Sequence, residues 1–98
     1  MKITKTLENT TLNIALEGRL DTVTAPELEA ELKASLSGIT ELNFDFKDLQ
    51  YISSAGLRVL LSARKTVGNA AAVVIHNASE EVKEVFEITG FSDILTIA

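Results

Sequence analysis

The stretch YISSAGLRVLLSARKTVG, Tyr51 to Gly68, decides how the rest of the chain is read. At about 100° per residue, Leu57, Val59, Leu60, Leu61, Ala63 and Val67 share one wide arc of a helix. Arg58, Ser62, Lys65 and Thr66 fall opposite, and Gly68 supplies a stop. Arg64 lies inside the apolar arc near the last turn, where its stem covers apolar surface and its guanidinium reaches water. The periodicity predicts a helix over 54–67 whose stripe belongs to a core. The entrance is unusual. Ser53, Ser54, Ala55 and Gly56 place four small side chains in a row. Either serine can cap the helix by accepting a backbone N–H bond. Capping explains neither Ala55 nor Gly56, and a glycine in a first turn costs up to about 1 kcal/mol relative to alanine. The expectation is a bare patch, small so that another protein can approach a hydroxyl closely.

The flanking sequence supplies strands. Upstream, ELNFDF alternates: Leu42, Phe44 and Phe46 point one way, Asn43 and Asp45 the other, so one sheet face is covered and the other meets water. Lys2–Leu7 and Thr11–Glu17 read as two more strands joined by a turn at ENT, with Leu12, Ile14 and Leu16 on one side. Residues 18–23 read as a loop. TAPE then starts a helix: Thr24 is placed to cap it, Glu27 to complete a capping box, and Pro26 fits the first turn. Leu28, Leu32 and Leu36 make its buried stripe, and Gly38 closes it. Downstream, AAVVIH reads as a strand with apolar residues on both faces and a central place in the sheet. NASEEVKEVFEITG reads as a third helix, with Asn77 and Glu80 as its capping box, Val82, Val85 and Phe86 as its buried face and Gly90 as its stop. DILTI ends the chain as a short strand. The order β-β-α-β-α-β-α-β predicts an α/β fold with right-handed crossovers and a mostly parallel sheet.

Composition bounds the function. The 98 residues are enough for one domain, 1–98, with one core. The hydrophobic content of 46% excludes a disordered chain. No apolar run reaches the roughly 18–20 residues of a membrane span, and the start has no apolar block of secretory length. Without cysteine there are no disulfides, thiol nucleophiles or thiolate metal sites, which fits a reducing cytoplasm. Fourteen acids against nine bases give a net charge of -5, the wrong sign for a nucleic-acid binder. The acidic turns Glu27–Glu29–Glu31 and Glu80–Glu81–Glu84 read as solvated helix faces. Phosphate loops, dinucleotide fingerprints and nucleophile elbows are missing. His76 is the single histidine. A hydrolase would have to combine it with Ser54 and with Asp45 or Asp48, and a metal site would lack recognisable ligand spacing. Neither a cofactor nor catalysis is expected.

DLQYISSAGLRVLL resembles the signature of STAS domains, the anti-sigma factor antagonists of bacteria. There a strand leads into a D-[ST]-[ST]-G-like turn and an apolar helix. GRLDTVTAPEL resembles the family's first loop and helix, and ASEEVKEVFEITGFSDILTI its C-terminal helix, glycine and last strand. Nearly the whole chain is covered. The resemblance implies a STAS fold with helices mainly on one face of a mixed, mostly parallel sheet. It also implies that a serine in the turn is phosphorylated by a partner anti-sigma factor that is a protein kinase. Gly56 and Leu57 match the family's Gly-Leu, so Ser54 falls on the phosphorylated position and Ala55 on the second hydroxyl position. Ser53 stands where many members carry aspartate, and is the competing hydroxyl. Asp21 matches the acidic residue of the first loop. The implied partner surface is Asp21, Thr22, Ser53, Ser54, Ala55, Gly56 and Arg58. The expected protein is a cytoplasmic, monomeric phosphoprotein that switches transcription. The alternative implied by the same family is a docking subunit of a lipid- or anion-transport complex, with no phosphorylation cycle.

Overall fold

The computed structural model describes all residues, Met1–Ala98. Five strands form one sheet in the order β1-β2-β3-β4-β5. They are β1 (Lys2–Glu8), β2 (Thr11–Leu20), β3 (Glu41–Ile52), β4 (Ala72–His76) and β5 (Thr96–Ile97). The helices are α1 (Ala25–Ser35), α2 (Ser54–Val67) and α3 (Glu80–Thr89), with a 3-10 turn at Phe91–Asp93. β1 runs antiparallel to β2, and every later pair is parallel. The β1–β2 turn is tight because Asn9 takes a left-handed φ of 56°, which asparagine tolerates.

This topology explains why the helices share one side. Three successive strand-helix-strand crossovers each add the next strand in the same direction. Right-handed crossovers that all step one way leave every helix on the same face. Beneath them Leu12, Ile14, Leu16, Leu42, Phe44, Phe46, Val73 and Ile75 are buried. α1 adds Leu28 and Leu32, α2 adds Leu60 and Ala63, and α3 adds Val82 and Phe86. Phe86 lies 6.3 Å from Phe46, which lies 5.8 Å from Phe44, so one aromatic column pins α3 to the sheet centre. Burying each such ring contributes about 1.5–3 kcal/mol. The opposite face is polar: Asn13 and Asn43 hydrogen-bond across β2 and β3, and His76 Nε2 lies 3.1 Å from Asn43 Oδ1.

β3 is longer than its alternating segment suggests. Past Phe46 the buried residues are Leu49 and Ile52, a spacing of three rather than two. Two register shifts account for this. Ala15 pairs with Asp45 but Glu17 with Asp48; Gly18 pairs with Leu49 but Arg19 with Tyr51. Each time β3 carries one extra residue, which is a bulge, and bulges re-aim side chains near functional sites. The segment 18–23 is correspondingly not all loop, because β2 continues to Leu20 against this bulged end.

Other local expectations are corrected. AAVVIH forms an inner strand, β4, paired with β3 and β5, but β3 holds the middle of the sheet, and only Val73 and Ile75 of β4 are fully buried. Thr24 occupies the N-cap position of α1 but makes no side-chain cap bond, since its hydroxyl is used inside the preceding loop. The cap of α3 is Ser79, which accepts from the Val82 amide at 3.2 Å. Asn77 lies outside the helix at a left-handed φ of 60° and donates to Asp45 Oδ1 instead of closing a box with Glu80. Arg64 is half-buried, and its guanidinium also donates to the carbonyls of Gly68 and of Ala71, closing the end of α2.

Candidate functional site

The patch singled out in the sequence lies where β2 and β3 end side by side. Leu20 and Ile52 are register partners, and the Ser53 amide donates to the Leu20 carbonyl at 2.9 Å. That bond joins two segments far apart in sequence: the loop from Asp21 to Thr24 and the turn into α2. The carboxyl ends of parallel strands are the usual place for contacts in open α/β sheets.

The two serines have different jobs. Ser53 is the N-cap of α2, extended at φ -98° and ψ 174°, and its Oγ accepts from the Gly56 amide at 3.3 Å. Ser53 is half-buried, whereas Ser54 is exposed as the first residue of the helix. One hydroxyl is therefore committed to holding the helix, and the other faces outward. Ala55 is half-buried and packs on the core, and Arg58, one turn further on, is exposed.

Gly56 is not part of an exposed bare surface. It is buried, and a Cβ built on it would lie 2.7 Å from Leu20 Cγ and 3.0 Å from both Leu20 Cδ2 and Ile52 Cγ1. The glycine is required because the first turn of α2 presses against the strand ends. It sets the height of the patch without lining it.

The Asp21 loop is pre-shaped by its own bonds. Asp21 Oδ1 accepts from the amides of Val23 at 3.0 Å and Thr24 at 3.1 Å. The Asp21 amide donates to Thr24 Oγ1, whose hydroxyl donates to the Arg19 carbonyl at 2.7 Å. The Thr24 amide above all holds the Asp21 carboxyl below its ordinary pKa. Partial burial opposes this, while the Thr24 hydroxyl, the Val23 amide and the Arg19 charge reinforce it. Asp21 is thus a fixed anion. Thr22 and Val23 project from the loop, Val23 at 82% exposure. Thr22, Ala55 and Arg58 line a shallow groove between the start of α1 and α2.

Two further residues belong to this surface and escape the motif. The Arg19 guanidinium carbon sits 4.3 Å above the Tyr51 ring, and Arg19 Nε lies 3.8 Å from Asp21 Oδ2. Tyr51 is 42% exposed. Aromatic and arginine side chains of this kind are enriched among the residues that dominate protein interfaces. Their pairing depends on the second bulge of β3, which sequence alternation alone does not reveal.

The chemical alternatives fail on placement. His76 bonds to Asn43 on the helix-free face, whereas Ser54 opens a helix that covers the other face. Asp45 shares the side of His76 and is held by the Lys47 amide and Asn77. Asp48 is exposed at the first bulge. No triad forms around Ser54. No three of the His, Asp and Glu side chains cluster as metal ligands, and no helix is long and apolar enough to cross a membrane.

Comparisons with known proteins bear on the family and the fold. The family model for the STAS domain matches residues 2–98. A Bordetella bronchiseptica protein, provisionally assigned as the anti-sigma factor antagonist BtrV, is 38% identical over 100 residues, spanning 100% of this chain and 86% of its own. The crystal structure of an anti-sigma factor antagonist from Mycobacterium paratuberculosis superposes with a TM-score of 0.89 at 18% identity, over 98% of this chain and 83% of that one. The phosphorylated form of SpoIIAA, a cell fate determinant of Bacillus, superposes with a TM-score of 0.77 at 21% identity, over 99% and 91%.

Proposed function

The chain belongs to the STAS domain family, and from that premise we propose that it is an anti-sigma factor antagonist switched by phosphorylation of Ser54. Unmodified, it captures an anti-sigma factor and thereby frees a sigma factor. Phosphorylated by that partner, which is also a serine-protein kinase, it lets go. It is a binding module and performs no catalysis itself. The full-length similarity to BtrV supports the antagonist role. The division of labour between the serines supports the choice of residue: Ser53 is held by the Gly56 amide, and Ser54 is exposed. That exposure is the observation that carries the proposal.

The mechanism follows from charge. Phosphorylation adds about 1.5–2 negative charges and three acceptor oxygens. At the head of a helix the fold tolerates them, because free amides and the helix dipole favour an anion by roughly 0.3–1 kcal/mol. A close-fitting partner is less tolerant, since like charges facing each other cost several kcal/mol and each 1.4 kcal/mol is about tenfold in affinity. Asp21, a fixed anion on the adjoining loop, adds to the repulsion. Ser53 in place of the family's frequent aspartate keeps the cap and leaves the turn itself uncharged.

The test is incubation with kinase-type anti-sigma factors and ATP, with the modified residue mapped by mass spectrometry and capture measured by titration. Phosphate is expected on Ser54 only. Ser54→Ala is expected to bind and resist modification, and Ser54→Asp to bind at least tenfold more weakly. Equal capture by all three forms, or phosphate on Ser53 alone, refutes the switch.

A further inference from the structure

Arg58 stands four residues after Ser54 on α2, and both side chains are exposed. Residues four apart share a helix face, and helical side chains favour rotamers that lean toward the N-terminus, so position 54 is within reach of the Arg58 side chain, which lines the groove between α1 and α2 beside Ala55. The order, anion before cation at i and i+4, is the favourable one. The other charged groups around this turn are engaged: Arg19 with Asp21 and the Tyr51 ring, and Glu29 of α1 with Lys33. Arg58 takes part in none of the three ion pairs of the chain.

We propose that Arg58 is the internal receiver of the phosphoryl group on Ser54. A guanidinium presents a rigid fork of donors that matches phosphate oxygens. Once Ser54 is phosphorylated, the fork closes on it and lays the phosphate along the helix. The switch then has two parts. It adds an anion to the partner-facing patch, and it withdraws from that patch an arginine that was free before. The role rests on Ser54 as the modified residue, but its test does not depend on any kinase.

Phosphoserine is installed at position 54 by genetic encoding, in the wild-type background and in Arg58→Gln, Arg58→Lys and Arg19→Gln. The second ionisation of the phosphate is followed by phosphorus NMR. With Arg58 present its pKa is expected to lie at least about 0.3 unit below that in Arg58→Gln, a factor of about two in proton affinity. Arg58→Lys is expected to recover part of the difference, and Arg19→Gln to match wild type. The Arg58 Nε proton is expected to move downfield on phosphorylation. Equal phosphate pKa values in wild type and Arg58→Gln overturn the proposal, as does a shift produced by Arg19→Gln instead. Failure of the Ser54 assignment itself appears separately, as no phosphate on Ser54 in the kinase incubation.

Discussion

Replacing Gly56 by alanine separates two reasons for a glycine at the head of α2. If the residue were small to admit a partner, Gly56→Ala would stabilise the free domain, because alanine is favoured over glycine within a helix by about 1 kcal/mol. The structure gives the opposite sign. The new Cβ would lie 2.7 Å from Leu20 Cγ, and Leu20 is completely buried. That carbon is the branch point of the side chain, so no free tip swings aside; either Leu20 changes rotamer or α2 rises from the sheet. Inserting one carbon into a tight core costs about 1–3 kcal/mol. After the helix gain is subtracted, and given the short approach, the net loss is about 1–2 kcal/mol. For a domain of this size that is a fall in Tm of about 4–8 °C per kcal/mol. Urea unfolding and a thermal melt of the unliganded domain measure it, with Ser54→Ala as a control whose loss should stay within about 0.5 kcal/mol. A Gly56→Ala domain as stable as wild type, or more so, refutes the packing account and returns the glycine to the partner surface.

Three other outcomes follow from the caps and the fixed anions. Ser53→Ala should cost about 1 kcal/mol in urea unfolding through loss of the cap on Gly56, while Ser53→Asp should retain most of it. Arg64→Met keeps the apolar stem but loses the bonds to Gly68 and Ala71, so it should lower the urea midpoint by about 1 kcal/mol; Arg58→Met, which loses no such bond, should not. The Asp45 carboxyl is held below its ordinary pKa chiefly by the Lys47 amide, and Asp21 chiefly by the Thr24 amide. Because the folded values are depressed, the stability they contribute is present above the unfolded pKa of about 3.9 and is lost as pH falls through the lower folded values. Urea midpoints from pH 6 down to pH 3 should therefore drop less steeply in Asp45→Asn than in wild type, and equal slopes would contradict the assignment.

The order of elements and the mostly parallel pairing were readable because hydrophobic spacing changes cleanly between strand and helix, while the placing of the helices on one face came from the resemblance to STAS domains. The α2 boundaries matched because Ser53 and Gly68 are strong local signals. The misreadings arose where tertiary contacts override local chemistry. Thr24 and Asn77 resemble caps, but Thr24 is held by the Asp21 loop and Asn77 by Asp45 across the sheet. β3 lost its two-residue rhythm at bulges specified by pairing with β2, so neither its length nor the Tyr51–Arg19 contact was visible. At the candidate site, Arg58 is exposed, as its place opposite the apolar arc of the helix suggested, and Ser54 is exposed beside it. Gly56 is buried instead, and its tightness comes from Leu20, thirty-six positions earlier in the chain.

The amide of Ser53 on the carbonyl of Leu20 ties together two loops that no short peptide contains. A peptide copied from the turn into α2 alone therefore has the serine but not the face around it. A partner that grips both loops would ignore such a peptide, so a short serine-bearing segment could not stand in for the folded domain.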